Sequence, residues 1–402
     1  MLRGGTNERW FMLSLGWLTY FSFGLINTAV APLVTNIMNE LSIDYTQMGV
    51  IMGAWQLVYI FSAQPLGLLT DRLGVYRSLL LGTIIISISS LLRGIAGGFW
   101  GLFASVAIFG LGGPLISIGT PKLVSIWFRG EERGTASGIN ASGSILGSMV
   151  ALGLTNSQIL PLLGSWRRVF FLYGIVGLTS VFLWFFLGKT KTPTEGGDHS
   201  DTAMGSPQNF NYFSLLKHRG IWILVWVGVV FFLSTHALKN WMPKILEIKG
   251  YSPRDAGYAT SLVSLMGLLG NLTVPRLSNS LSSKRLMITF VLLVSGASIF
   301  VIGVGQGSVL WVGLLLFGYA SYSIMPLLTL TLMDIPFIGS ERMGVAGGLL
   351  FSIGEIGGFM GPFLMGYLKD ITDSFISGFL LLTLANIVAI SLIQFFKSES
   401  AE

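Results

Sequence analysis

Residues Gly67–Arg77 read Gly-Leu-Leu-Thr-Asp-Arg-Leu-Gly-Val-Tyr-Arg. It places one acid and two arginines between two long apolar runs, residues 46–69 and 77–97. Each run can cross the hydrocarbon core of a bilayer, which takes about 20 apolar residues. Gly74 allows a tight turn, and Asp71 can pair with cations at neighbouring helix ends. The stretch therefore predicts a short charged loop between two membrane-spanning helices.

The composition of the whole chain is that of a membrane protein. Of its 402 residues, 52% are hydrophobic and 10% are charged, and the mean hydropathy is +0.73. Soluble chains carry about 25% charged residues. The apolar runs do not alternate with polar residues, so helices are predicted rather than an outer-membrane β-barrel.

The scarcity of reactive side chains excludes several functions. The chain has no cysteine, which excludes disulfides and thiolate sites. Three histidines argue against a multi-histidine metal site, and the lack of a Walker loop excludes direct use of ATP within this chain. Membrane-embedded catalysis would need a nucleophile with its base, or a metal cluster, and the sequence offers neither pattern. No enzyme activity, cofactor or metal is predicted.

Charges, Gly and Pro residues and polar clusters divide the chain into twelve predicted spans. A hydrophilic segment at 189–217 separates six spans from six, so we predict an N-terminal bundle at 1–188, a cytoplasmic central loop at 189–217 and a C-terminal bundle at 218–402. The approximate spans are residues 10–36, 46–69, 77–97, 100–127, 133–155, 167–187, 219–246, 254–275, 285–304, 308–333, 342–366 and 375–396.

The positive charges predict the orientation of these spans. The net charge of +6 comes from Lys and Arg residues placed singly or in pairs between apolar runs, which does not indicate nucleic-acid binding. With the N-terminus in the cytoplasm, 15 of the 24 Lys and Arg residues fall on the cytoplasmic side and eight, Arg93 among them, on the outer side. We therefore expect a multi-pass protein of the cytoplasmic (inner) membrane with both termini in the cytoplasm. The apolar run from Trp10 to Val34 is too long for a signal-peptide core and is predicted to remain as the first helix.

The two halves of the chain share a repeated motif. Glu132-Arg133-Gly134 opens the fifth span, and Glu341-Arg342 opens the eleventh. Both spans continue through closely spaced glycines, which let helix backbones approach each other. Two like halves facing each other across an axis normal to the membrane predict alternating access to a central site.

Together, the Gly67–Arg77 stretch, the twelve spans, the central loop and the repeated motif resemble the major facilitator superfamily over essentially the whole chain. The resemblance implies an all-α membrane fold of two pseudo-symmetric six-helix bundles, and a monomer. The second copy of the motif, at Gly270–Leu277, has lost the Asp and carries Pro275, so a matching latch in the C-terminal half is not expected. The predicted conformational latch consists of Gly67, Asp71, Arg72, Gly74, Arg77, Glu132, Arg133 and Arg342.

Two further stretches resemble subfamilies of this superfamily. Residues 121–134, with Lys122 five positions before Trp-Phe, resemble the fourth-span region of organic-anion permeases, which usually carry Arg at that position. Lys lacks the planar fork with which Arg binds a carboxylate. Residues 236–246 resemble the seventh-span exit of permeases for cyanate and nitroimidazole.

Ionisable residues within spans are costly and are therefore candidates for function. Lys122 lies about 33 Å from the start of the fourth span, where it can contact a substrate anion or extend its amine to the inner headgroups. His236, Lys239 and Asn240 share one face of the seventh span. This cluster either lines the cavity or its outer gate, or it anchors the helix in the outer headgroup region.

Glu355 lies about 21 Å along the eleventh span, near the bilayer midplane. It can carry a coupling proton, or it can bond to a polar group of a neighbouring helix. In the resembled family this helix is mostly peripheral to the cavity.

The resemblance also implies further cavity lining from the first, fourth, seventh and tenth spans, with a contribution from the second. These candidates are polar or aromatic, which suits a mostly apolar cavity with a few polar groups. They are Tyr20, Asn27, Thr28, Trp55, Gln56, Tyr59, Thr120, Tyr319 and Tyr322.

The function predicted from these features is proton-coupled uptake of a small organic or inorganic anion by a secondary active transporter. Its partners are then the lipid bilayer, protons and a small-molecule substrate. A proton-coupled exporter of drugs or lipophilic cations would typically need an acid at the cavity centre, and spans one, two, four, seven and eight show none. A neutral-solute uniporter and a receptor that does not transport are further alternatives.

Overall fold

The computed structural model describes residues 6–188, 218–280, 283–335, 338 and 343–396. The regular structure within these ranges is helical, with three short 3-10 or π turns at 31–33, 155–159 and 184–188. The helices are α1 (Thr6–Thr28), α2 (Val34–Leu41), α3 (Tyr45–Ile95), α4 (Phe99–Trp127), α5 (Glu131–Leu154), α6 (Leu160–Leu163), α7 (Trp166–Leu183), α8 (Arg219–Ile248), α9 (Pro253–Ser280), α10 (Lys284–Val304), α11 (Gly307–Met333), α12 (Met343–Thr372) and α13 (Ile376–Ile393).

Eleven helical stretches among the described residues are long and apolar enough to cross a membrane. One of them, α3, has 51 residues and would be about 75 Å long if straight, more than twice the bilayer core. It is broken at Gly74, where φ is 76° and ψ is 162°, a conformation that glycine adopts without strain. Its two arms, residues 45–73 and 75–95, correspond to the predicted second and third spans. The predicted all-helical membrane fold and the turn at Gly74 are confirmed.

The chain divides into two compact units that cut across several helices. Residues 236–265 and 359–378 belong to the same unit as the N-terminal helices. The second half of α8, the first half of α9 and the end of α12 are therefore in unit 1. The predicted central loop at 189–217 lies outside the described residues, so the division there stays a prediction. Unit 1 comprises Met1–Pro193, His236–Leu265 and Phe359–Gly378, and unit 2 comprises Thr194–Thr235, Met266–Gly358 and Phe379–Glu402.

Small residues set the helix contacts in both units. In unit 1, a side chain on Gly147 of α5 would overlap the carbonyl oxygen of Phe21 in α1. In unit 2, a side chain on Gly357 of α12 would overlap the carbonyl oxygen of Val229 in α8. The close approach expected of the glycines in the fifth and eleventh spans is therefore confirmed.

Arg93 is a buried cation at the end of α3. Its guanidinium donates to the carbonyl oxygen of Ile26 at 2.8 Å and to Ser89 Oγ at 3.1 Å, and it lies 5.6 Å from the ring centre of Phe109. Only 1% of the residue is exposed, so the guanidinium lies among the helices and not at the membrane surface, and the membrane side predicted for it stays a prediction. A carbonyl, a hydroxyl and an aromatic face compensate part of the cost of burying the charge, and the contact ties α1 to α3.

Candidate functional site

A polar pair joins α3 and α8 deep inside unit 1. The Nε2 atom of Gln56 lies 3.1 Å from Nδ1 of His236. An amide nitrogen only donates, so this hydrogen bond requires the His236 tautomer in which Nδ1 is unprotonated. Gln56 is fully buried, and both residues lie about 17 Å from the end of their helices that is nearer to Ser42. The pair is therefore close to the middle of the bilayer core.

Aromatic rings surround this pair. The ring of Trp55 lies 5.7 Å from that of His236, 5.9 Å from that of Tyr59 and 5.8 Å from that of Phe109. Phe109 in turn contacts Phe23 of α1 at 5.1 Å. A chain of ring contacts thus links residues of α1, α4 and α3 to the imidazole on α8. We name this group the central cluster, and it consists of Tyr20, Phe23, Trp55, Gln56, Tyr59, Phe109, Ser117 and His236.

Helical spacing brings the remaining members to the same place. Tyr20 and Phe23 are three residues apart on α1, and their rings are 5.6 Å apart. The half-buried Asn27 follows one turn later on that face. The hydroxyl of Tyr59 lies 3.3 Å from Ser117 Oγ of α4. Residues of the first, second, fourth and seventh spans therefore lie in one group of contacts, which does not include the tenth-span candidates Tyr319 and Tyr322. Phe23, Phe109 and Ser117 were not predicted.

The other two predicted polar residues of α8, Asn240 and Lys239, have different surroundings. Asn240 is 8% exposed, and its amide donates to the carbonyl oxygen of His236 at 2.9 Å, within the helix. Lys239 is half-buried and lies one turn from His236. Lys239 is thus the cation of α8 nearest in sequence to the central cluster.

Four other predicted cavity residues make contacts between or within helices. Thr28 donates to Ser148 Oγ of α5 at 2.9 Å, and Thr120 donates to a carbonyl of its own helix at 3.0 Å. In unit 2, the hydroxyl of Tyr319 lies 2.8 Å from Thr273 Oγ1, and the ring of Tyr322 packs against the backbone of α9. Each of these side chains contributes to packing where the structure places it.

The predicted latch residues other than Arg342 lie at the end of unit 1 that carries Gly74. Lys122 Nζ donates to Asp71 Oδ1 at 3.1 Å. A residue predicted to bind the substrate therefore contacts a residue predicted to belong to the latch. Glu132 accepts two hydrogen bonds from the guanidinium of Arg9, at 2.5 and 3.1 Å. The sequence does not predict this partner.

The other latch residues differ in exposure. The side chains of Arg72, Arg77 and Arg133 are exposed. A Cβ on Gly67 would lie in ordinary contact, 3.4 Å from Ile118 of α4. Arg342 lies outside the described residues.

At the opposite end of unit 1, where Ser42 lies, α12 caps the start of α3. Asp370 accepts hydrogen bonds from the backbone nitrogens of Tyr45 at 3.3 Å and Thr46 at 2.6 Å, and from Thr46 Oγ1 at 2.5 Å. A carboxylate at a helix N-terminus also interacts favourably with the helix dipole. One turn earlier in α12, a side chain on Gly366 would overlap the carbonyl oxygen of Tyr45.

Three further hydrogen bonds join helices at this end. Thr35 Oγ1 donates to Glu247 at 2.5 Å and accepts from Lys244 at 3.0 Å, which joins α2 to α8. Ser261 of α9 donates to the carbonyl oxygen of Met149 in α5 at 2.7 Å. We name these contacts the Ser42-end seam, and it consists of Thr35, Tyr45, Thr46, Met149, Lys244, Glu247, Ser261 and Asp370.

Glu355 is a buried carboxyl in unit 2. Only 5% of the residue is exposed, and it lies about 18 Å from the start of α12, near mid-depth as predicted. The neighbouring Gly354 packs on the ring of Phe232, so α8 runs directly beside this segment of α12. An ionised carboxylate is costly at such a position unless it is paired or hydrated.

The sequence of this chain is similar to a known protein family and to individual transporters. Residues 16–362 match the family model described as Major Facilitator Superfamily. The chain is 25% identical to a probable galactarate/D-glucarate transporter of Bacillus subtilis (strain 168), over 96% of this chain and 90% of that protein. It is 24% identical to the 2-nitroimidazole transporter of Escherichia coli (strain K12), over 85% of this chain and 84% of that protein.

Solved structures show the same fold. The crystal structure of a bacterial homolog of the human lysosomal transporter Spinster, inward-facing and occupied, superposes with a TM-score of 0.80. The match covers 98% of this chain and 97% of that one at 15% sequence identity, so it establishes the fold alone.

Proposed function

This chain belongs to the Major Facilitator Superfamily of transporters, and on that premise we propose that it takes up a small organic anion by proton-coupled alternating access. The observation that carries the proposal is the central cluster. It joins helices from both halves of the sequence around the Gln56–His236 pair, at mid-depth in the membrane. A substrate bound there would contact both halves, as alternating access requires.

The chemistry of the central cluster favours an anion. Gln56 and His236 offer N–H donors, Lys239 supplies a positive charge within one helical turn, and aromatic rings form the walls. None of the residues that define the cluster is a carboxylate, which a lipophilic cation would require. One similar protein carries the name of a transporter for galactarate and D-glucarate. We therefore infer a sugar acid or a comparable small carboxylate as the substrate class.

The two ends of unit 1 provide the contacts that must change during transport. The Ser42-end seam joins N-terminal helices to α8, α9 and α12, so it must open before the central cluster is accessible from that end. From the distribution of charges, we infer that this end faces outward and that both termini are in the cytoplasm. The ion pair of Lys122 with Asp71 favours a positional role for Lys122 over direct contact with the substrate.

We infer that Glu355 couples transport to protons. It is a carboxyl buried at mid-depth beside α8, the helix that carries His236 and Lys239. An ionisable carboxyl at this depth is a candidate to bind and release a proton when its hydration changes during the transport cycle.

Thermal stabilisation of the purified protein tests the proposed substrate class. A ligand that binds only the folded state stabilises it by about 2.7 kcal/mol at 100 times its Kd. We expect galactarate to raise the melting temperature, and neither 2-nitroimidazole nor tetraphenylphosphonium to do so. The shift should disappear in Gln56→Leu and persist in Gln64→Leu, the same change at an exposed position of the same helix. A shift with tetraphenylphosphonium alone would replace the proposal with export of lipophilic cations.

A further inference from the structure

We propose that unit 2 binds the acyl chain of an anionic phospholipid in a groove between α9, α10 and α11. The groove has a volume of about 460 Å³ and an almost entirely apolar lining. It is separate from the central cluster and plays no part in the proposed transport chemistry. Its lining residues are Val274, Leu277, Leu286, Met287, Phe290, Val291, Val294, Tyr319 and Ala320.

The groove is open on the side that faces lipid. Its rim includes Leu286 and Phe290, which are 61% and 64% exposed on a membrane-spanning helix. Its floor includes Val291 and Ala320, which are almost fully buried. The rim and floor together form a concave apolar surface, into which a hydrocarbon chain can pack against helices on three sides.

The length of the groove matches one leaflet. On α10 the lining runs from Leu286 to Val294, about 12 Å along the helix axis. Half of the bilayer core is about 15 Å thick. The lining begins within the first turn of α10, at the membrane surface, and ends near the midplane. An acyl chain from the adjacent leaflet therefore fits along its length.

Two arginines that form no salt bridge among the described residues lie at the end of the groove nearest the lipid headgroups. Arg276 directly precedes the lining residue Leu277, and Arg285 directly precedes Leu286; both arginines are exposed. Neither forms a salt bridge within the described part of the chain, whereas Lys284 beside them is paired with Asp334 at 2.5 Å. Clustered basic residues at the end of membrane helices attract anionic headgroups. The charge therefore selects a lipid with a net negative headgroup.

The polarity of the wall argues against a water-soluble ligand. Tyr319 carries the only hydroxyl among the lining residues, and that hydroxyl lies 2.8 Å from Thr273 Oγ1. The side chains of the lining therefore offer no further polar group to orient a polar substrate. A hydrocarbon chain needs no such polar group.

Photocross-linking of lipids tests the proposal. The purified protein is reconstituted in phosphatidylcholine vesicles with a trace of diazirine-acyl phosphatidylglycerol or diazirine-acyl phosphatidylcholine, and the labelled residues are mapped by mass spectrometry. We expect labels on Phe290 and Met287, and a preference for phosphatidylglycerol of about fivefold per arginine. Arg276→Gln with Arg285→Gln should abolish that preference, whereas Arg129→Gln, at an exposed position of unit 1, should leave it unchanged.

A second pair of variants tests the groove itself. Met287→Trp fills the groove from its wall and should reduce labelling at Phe290 severalfold. Leu293→Trp adds the same ring on the exposed face of α10 outside the groove and should not. Equal labelling by the two lipids, labels spread evenly over Phe290 and Leu293, or cross-links between two copies of the chain in place of lipid would each overturn the proposal. None of these readouts depends on transport.

Discussion

Asp370 offers the most direct way to shift the proposed conformational equilibrium. Its carboxylate accepts three hydrogen bonds from the first turn of α3 at the Ser42-end seam. The start of α3 also has its own capping box, formed by Asp44 and Gln47. Asp370→Asn therefore weakens the contact between α12 and α3, while α3 itself keeps its cap. We expect this variant to favour the state in which the Ser42 end is open.

The magnitude follows from the lost charge. An acid at a helix N-terminus contributes about 0.3–1 kcal/mol, and a charge-assisted hydrogen bond is about twice as strong as a neutral one. Asp370 is solvent-exposed, so screening reduces both contributions. We expect a net loss of about 1 kcal/mol, which changes the ratio of open to closed molecules about fivefold.

Spin labels can measure this ratio because the chain has no native cysteine. Labels at Asn39 and Ile248, both exposed at the Ser42 end, should show a distance that increases when the seam opens. The matched control is Asp373→Asn. Asp373 bonds to Lys369 of the preceding helix, and that hydrogen bond lowers the pKa of Asp373, so the control also removes an ionised acid. An unchanged distance distribution in Asp370→Asn, or the same change in the control, would show that Asp370 does not stabilise the closed Ser42 end.

Three further predictions concern other parts of the molecule. Because Lys122 and Asp71 form an ion pair, Lys122→Asp and Asp71→Lys should each impair uptake, and the combined swap should recover at least half of the lost rate; if it recovers none, Lys122 contacts the substrate. Glu355→Gln should flatten the pH profile of uptake while changing substrate affinity less than about twofold, and an unaltered profile would make Glu355 a structural residue. A single cysteine at Asn39 should react with an impermeant maleimide added outside cells and one at Arg129 should not, and the opposite pattern would invert the proposed orientation.

Local sequence signals predicted the fold well because each depends on neighbouring residues. Apolar length identified the spans, and the glycine in Gly67–Arg77 identified the break in α3. The burial of Arg93 is a feature that such local signals do not predict. A charge near a span end normally lies in the headgroup region, but here the carbonyl of Ile26 and the ring of Phe109 receive it inside the unit.

The sequence predicted several residues of the candidate site from their polarity, but not which of them contact each other. The cost of polar groups in a membrane singled out Gln56 and His236 separately. Their contact depends on the packing of α3 against α8, which is 180 residues away in the chain and leaves no local signal. The same limit applies to Lys122: its charge was identified, but its partner Asp71 is supplied by another helix. Asp370 escaped notice because an acid near the end of a span is ordinary there.

Uptake into proteoliposomes measures whether a proton gradient drives a small carboxylate through the central cluster. Labelled galactarate is supplied outside at acidic pH with a neutral interior, and accumulation is measured with and without a protonophore. We predict that galactarate accumulates inside to a concentration above the external one, and that the protonophore abolishes this accumulation. Gln56→Leu should lose the accumulation, and Gln64→Leu should retain it. Uptake that proceeds equally in Gln56→Leu, or movement of tetraphenylphosphonium with no movement of galactarate or other small carboxylates, would contradict it.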